Sequence, residues 1–253
     1  MSTEQYDAVY LAPHLDDAVL SCGGQICRRT SAGERVLAVT IFAGDETTPS
    51  VFARRMHAWF GIWRGVGMKR RLEDRAAVGS LGAVHEHWPE QEALYRRDPA
   101  TRRPLYASYR ALVGPLQPAD DSLIDRLARR LAGAVNTNAV FAPLAVGGHV
   151  DHRLVRAAAE RAWPDGLRYY EDFPYGVRAQ ALAVALENAD AWESEIVPVD
   201  ERQLARKTSA IALYRSQIRF LFRSHRAMRD RVRACAAAVG GERVWRKRSA
   251  RQC

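Results

Sequence analysis

Five stretches of the chain carry apolar residues in the manner of strands. Asp7–Ala12, with Val9-Tyr10-Leu11 at its centre, reads as a buried strand. Val36–Ala43 is an unbroken, β-branched run ending at Gly44, the pattern of a central parallel strand covered on both faces. Ala83–Trp88 alternates, Ala139–Leu144 is apolar throughout, and Leu167–Tyr170 is a short run closed by Pro174. Between them lie segments of helical spacing: Asp16–Thr30, Arg71–Leu81, Leu123–Val135 (Leu123, Leu127, Leu131) and Asp151–Trp163. Strands alternating with helices at these lengths predict an α/β fold, Rossmann-like, with a mostly parallel sheet and helices on both faces. Pro-, Gly- and Arg-rich segments at 44–67 and 98–121 read as long loops.

At 253 residues the chain is read as one domain, 1–253, with a sizeable core. Residues 1–7 are polar and show no basic segment followed by an apolar one, so no signal peptide is expected. No apolar run approaches the roughly 20 residues that cross a bilayer. Cys22, Cys27, Cys235 and Cys253 have neither metal-finger nor disulfide-framework spacing, which points to free thiols and a cytoplasmic location. The net charge of +9 divides unevenly. Residues 202–253 hold 15 Lys/Arg against two acids, a balance of +13, which leaves residues 1–201 at −4. A basic C-terminal segment can draw in anions. The larger part, which carries the candidate chemistry, is mildly acidic, so a nucleic-acid partner is not expected.

That chemistry sits at two strand ends. His14-Leu15-Asp16-Asp17 follows the first run, and Gly147-Gly148-His149-Val150-Asp151-His152 follows the run Ala139–Leu144. In open α/β sheets ligands bind outside the carboxyl ends of the strands, so two clusters roughly 130 residues apart can face one crevice. A catalytic Zn²⁺ takes three N/O ligands and keeps an open position for water, and His14, Asp17 and His152 supply such a set. Asp16 then stands free to take a proton from the water. His149 need not share the metal and can face the substrate oxygen. Asp151 can orient an imidazole, cap the helix that follows it, or do both.

The paired motifs His-x-Asp-Asp and His-x-Asp-His resemble those of the PIG-L/LmbE family of zinc-dependent de-N-acetylases. Further matches are Arg71-Leu72-Glu73-Asp74 leading to Leu81-Gly82, then Tyr169–Tyr175, and Lys207 followed by Tyr214-Arg215-Ser216-Gln217. The similarity spans residues 6–217 and leaves 218–253 as a basic C-terminal segment. It implies removal of an N-acetyl group from an amino sugar or sugar-containing metabolite. It further implies Zn²⁺, with Fe²⁺ as the alternative, on His14, Asp17 and His152. Asp16 would be the general base, with His149, protonated, stabilising the intermediate. The family usually has Pro where this chain has Leu15, and many members have Asp-Gly at Pro89-Glu90-Gln91-Glu92. Two other readings stay open: a metal-dependent hydrolase of another amide or an ester, and a non-catalytic anion- or nucleic-acid-binding protein.

The expected partner is a small N-acetylated molecule, and Arg71 is a candidate for contacting it. His85 and His87 share a strand face without a third ligand nearby. Trp59, Phe60 and Trp63 have helical spacing and suit either a lid or the core. Tyr214 and Gln217 read as packing residues, and Cys22 and Cys27 as buried apolar ones.

Overall fold

The computed structural model describes residues 4–45, 48–60, 65–137, 139–176 and 179–248. The chain opens with β1 (Gln5–Tyr6), β2 (Ala8–Ala12), α1 (Asp17–Ser31) and β3 (Val36–Thr40). Then come α2 (Val51–Phe60), α3 (Val66–Ser80), β4 (Val84–His87), α4 (Tyr109–Leu112) and α5 (Asp121–Ala134). β5 (Asn136–Thr137), β6 (Val140–Pro143), α6 (Val150–Ala162), β7 (Arg168–Tyr170) and α7 (Ala179–Leu186) follow. The last elements are β8 (Trp192–Val197), α8 (Glu201–Ile211), α9 (Arg215–Phe222), α10 (His225–Val239) and β9 (Glu242–Lys247).

Seven strands form one sheet in the order β4-β3-β2-β6-β7-β9-β8. The first five run parallel, and β9 lies antiparallel between β7 and β8. Strand β2 shows why helices must cover both faces. Ala8, Tyr10 and Ala12 pack into one apolar cluster with α1, α8 and α9, while Val9 and Leu11 pack into another with α5 and α6. A period of two on a strand buried on both sides requires this division. From β2 the order runs to β3 in one direction and to β6 in the other, so a crevice opens between the carboxyl ends of β2 and β6.

The α/β reading and its central strands agree with this architecture, and Cys22 and Cys27 are buried as expected. One expectation needs correction. The segments read as loops contain α2 and α4, each of which packs against neighbours rather than running free over the surface. The basic C-terminal segment supplies α10 and an interior strand, β9. Glu242 of β9 is buried, and its carboxylate accepts from the Gly24 and Gln25 amides of α1 at 2.8 Å each and from Lys207 Nζ at 2.7 Å. This approach explains the Gly23-Gly24 pair: a Cβ on Gly23 would lie 2.9 Å from Lys207 Cγ, and one on Gly24 2.8 Å from Glu242 Oε1. β9 lacks the apolar alternation that marks a strand because its Arg and Lys side chains pair with Glu171, Glu195 and Glu160 instead.

Of the aromatic triplet, Trp59 is largely exposed and its ring stands 5.9 Å from that of Phe220. The side chain of Phe60 and all of Trp63 lie outside the described residues. His87 Nε2 donates to Asp74 Oδ2 at 2.8 Å, and Tyr214 donates to Asp74 Oδ1 at 2.6 Å, so both serve packing around α3.

Candidate active site

Two turns at strand ends build the site. After β2 the chain reverses within three residues: the Asp16 amide donates to the His14 carbonyl, and Asp16 takes φ 156° before α1 begins at Asp17. Such backbone costs a non-glycine residue on the order of 1–3 kcal/mol and is retained where surroundings over-determine it. After β6, Ala145, Gly147 and Gly148 all have positive φ, and a Cβ on Gly147 would stand 3.3 Å from the Tyr175 ring. The turn delivers His149 as the cap of α6, with Asp151 and His152 in its first turn.

Folding brings the two clusters together. Asp17 Oδ2 lies 3.3 Å from His14 Nδ1 and 3.3 Å from His152 Nε2. Ligand atoms held about 2.0–2.2 Å from a tetrahedral Zn²⁺ stand roughly 3.3–3.5 Å from one another, and each of the two imidazole nitrogens stands at that spacing from Asp17 Oδ2. The outer ring nitrogens are held as metal-site histidines require. His14 Nε2 meets Asp151 Oδ2 at 3.0 Å, and His152 Nδ1 meets Asp172 Oδ1 at 2.5 Å. Burial disfavours charge on both rings, yet the surrounding carboxylates outweigh it and raise both pKa values, His14 well above the usual imidazole range. Asp17 is held well below the ordinary carboxylate value by the two imidazoles despite its burial. The pocket attracts positive charge, and its donor set fits a divalent transition metal.

The nitrogens of His14, His149 and His152 also lie within 4.8 Å of one another. His149 differs from the other two rings, because its Nδ1 accepts from the Asp151 amide at 3.2 Å. An amide can only donate, so the proton of neutral His149 sits on Nε2. Burial and the nearby His14 bring its pKa down to about 3. In this structure His149 is a neutral ring with an N–H donor on Nε2. Asp16 is buried beside Asp17, and these two effects push it up to about 8, against the pull of Arg70 and His14.

A cleft of about 150 Å³ opens above these residues, with His14, Asp16, Asp17, His149, Asp151 and His152 in its floor. Arg70 and Glu92 form one polar wall, joined by a 2.5 Å ion pair, with Arg70 Nη2 4.0 Å from Asp16 Oδ1. Met56, Tyr109, Leu112, Val113, Phe220 and Leu221 make the opposite wall and rim apolar. Arg71, expected to touch substrate, turns away: its guanidinium donates to the Ala43 carbonyl at 2.8 Å and to Asp45 at 2.6 Å. Its neighbour Arg70 lines the cleft instead, one residue of helical rotation away. Gln217 also reaches the cleft.

Sequence reasoning missed Asp172, Arg70, Glu92 and the apolar rim. Asp172 was findable, since it follows a third parallel strand, β7, at the same carboxyl end. Glu92 had no signal, because it lies between β4 and α4 in a segment without periodicity.

The profile of the PIG-L family, described as GlcNAc-PI de-N-acetylase, matches residues 9–163. The chain is 26% identical over 243 residues to 2'-N-acetylparomamine deacetylase of Niallia circulans, covering 88% of this chain and 84% of that protein. Its fold matches a zinc-inhibited form of the teicoplanin deacetylase Orf2 with TM-score 0.84 and 28% identity, over 99% of this chain and 100% of that one. A deacetylase–teicoplanin complex matches with TM-score 0.81 and 28% identity, over 96% and 98% of the two chains.

Proposed function

The chain belongs to the PIG-L (GlcNAc-PI de-N-acetylase) family, and from that premise we propose that it deacetylates an amino sugar borne on a bulky apolar aglycone, using Zn²⁺. It is a hydrolase, a metal-dependent de-N-acetylase of an amino sugar. The scaffold-only reading, an anion- or nucleic-acid binder, is set aside by that membership. No helix of the described residues is long and apolar enough to cross a membrane.

One observation carries the choice of substrate. A cavity of about 150 Å³ admits a single six-membered ring. The rest of the molecule must lie on the rim, where Tyr109 is 60% exposed and Val113 39%. Apolar surface left open at a cleft mouth favours an apolar ligand over a polycation.

We assign the metal to His14, Asp17 and His152, whose three inner atoms are spaced for it. Held by those residues, Zn²⁺ would supply a more acidic water and would polarise the acetamide carbonyl. Asp16 in its ionised form, which the neighbouring Arg70 and His14 favour, is the base that would accept the water proton. The N–H on His149 Nε2 donates to the carbonyl oxygen as negative charge grows on it, a contribution of about 3–4 kcal/mol for one well-placed donor. Asp151 and Asp172 hold the rings of His14 and His152 in the required tautomers. Arg70 presents a cation beside Asp16 and Glu92 and suits the sugar hydroxyls.

The test compares acetate release from three compounds: an N-acetylglucosaminyl glycopeptide aglycone, N-acetylparomamine and free N-acetylglucosamine. The expected order of kcat/KM has the glycopeptide first by at least tenfold. A preference for N-acetylparomamine would overturn the substrate assignment.

A further inference from the structure

We infer that Arg96 is a positioning residue for the metal centre, acting through Asp151 to fix which nitrogen of His14 faces the ion. The inference rests on the proposal that His14 is a metal ligand. Asp151 is wholly buried, so the protein alone must satisfy its carboxylate. Oδ2 accepts from the Ala93 amide at 2.9 Å and from His14 Nε2 at 3.0 Å, while Oδ1 accepts from Arg96 Nη1. Two donors from one short stretch, residues 93–96, therefore set the angle of the carboxylate that sets the angle of the imidazole.

Arg96 is itself held by an ion pair and by two rings. Its Nε lies 3.0 Å from Asp120 Oδ1, and its guanidinium sits over the rings of Phe42 and Tyr106 at 5.3 Å each. Asp120 in turn accepts from the Tyr106 hydroxyl. The series His14, Asp151, Arg96, Asp120, Tyr106 runs from the cleft floor into the interior, and Arg96, Asp120 and Tyr106 are buried. Arg96 does not line the cleft, so it cannot act by touching substrate. Without it, Asp151 Oδ1 keeps no donor among the described residues, and the carboxylate, held from this side only by the Ala93 amide, can rotate off His14 Nε2 and loosen the ring. Outer partners of this kind typically change metal affinity by about 10–100-fold.

The experiment titrates zinc into the metal-free full-length protein against a chromophoric chelator. Arg96→Met is expected to bind zinc about 10–100-fold more weakly than wild type, with KM at saturating zinc within about twofold. Arg96→Lys retains the charge and one donor, and is expected to recover part of the loss. Wild-type affinity in Arg96→Met, or no recovery in Arg96→Lys, overturns the inference. Should the Met variant not fold, wild-type zinc affinity in Arg96→Lys overturns it instead. Undiminished zinc binding by His14→Ala would overturn the metal assignment and this inference with it, which separates the two failures.

Discussion

His152 Nδ1 and Asp172 Oδ1 meet at 2.5 Å with both side chains out of solvent. Asp172 also accepts the Val146 amide at 2.7 Å, so one carboxylate ties the end of β7 to the turn after β6. It turns His152 Nε2 towards Asp17. Asp172→Asn is expected to fold, to bind zinc about 10–100-fold more weakly, and to lose activity in proportion at limiting zinc. Chelator competition alongside initial rates checks both.

Asp16 is proposed as the base and not as a ligand. Asp16→Asn should keep one zinc per chain and lose about 10²–10⁴-fold in kcat. Elemental analysis and steady-state kinetics on one preparation decide it, since zinc loss would make Asp16 a ligand and near-normal turnover would remove it from catalysis.

Because the ligand atoms form only in the folded chain, zinc should stabilise that state. At zinc 100-fold above its dissociation constant the gain is about 2.7 kcal/mol. At about 2–4 °C per kcal/mol, a chain of this size should gain roughly 5–10 °C in unfolding midpoint. Calorimetry with and without chelator is expected to show the shift in wild type and not in His14→Ala.

The apolar rim makes a claim about recognition rather than chemistry. Replacing Tyr109 and Val113 together by Ser removes two exposed apolar surfaces at the cleft mouth. The double variant should lose about 10–100-fold in kcat/KM on a substrate with an apolar aglycone, at about 1–3 kcal/mol for lost apolar contacts. Rates on free N-acetylglucosamine should stay within about twofold.

Lys207 and Glu242 form a 2.7 Å ion pair, both buried between α8, α1 and β9. Lys207→Met leaves the Glu242 carboxylate with only the two α1 amides. Breaking such a buried pair costs about 3–5 kcal/mol. Denaturant unfolding should show that loss, and kcat at a temperature where the variant is folded should be unchanged.

The local code of the chain determined the strands β2, β3 and β6, because strands covered on both faces are apolar throughout and that leaves a direct mark in the residues. It also determined that His14, Asp17 and His152 emerge at carboxyl ends, since motif and strand are contiguous there. What tertiary structure alone decided was orientation and company. Whether Arg70 or Arg71 enters the cleft turns on the rotation of α3 about its axis, which two adjacent arginines do not encode. The proton position on His149 depends on an amide it meets only as the cap of α6. Arg96 and Asp120 reach the site through a segment with no repeating pattern, and β9 is a strand because Glu242 is drawn onto α1 across more than 200 residues of chain. Periodicity records which face of an element is buried. It carries no record of which distant polar group will be waiting there.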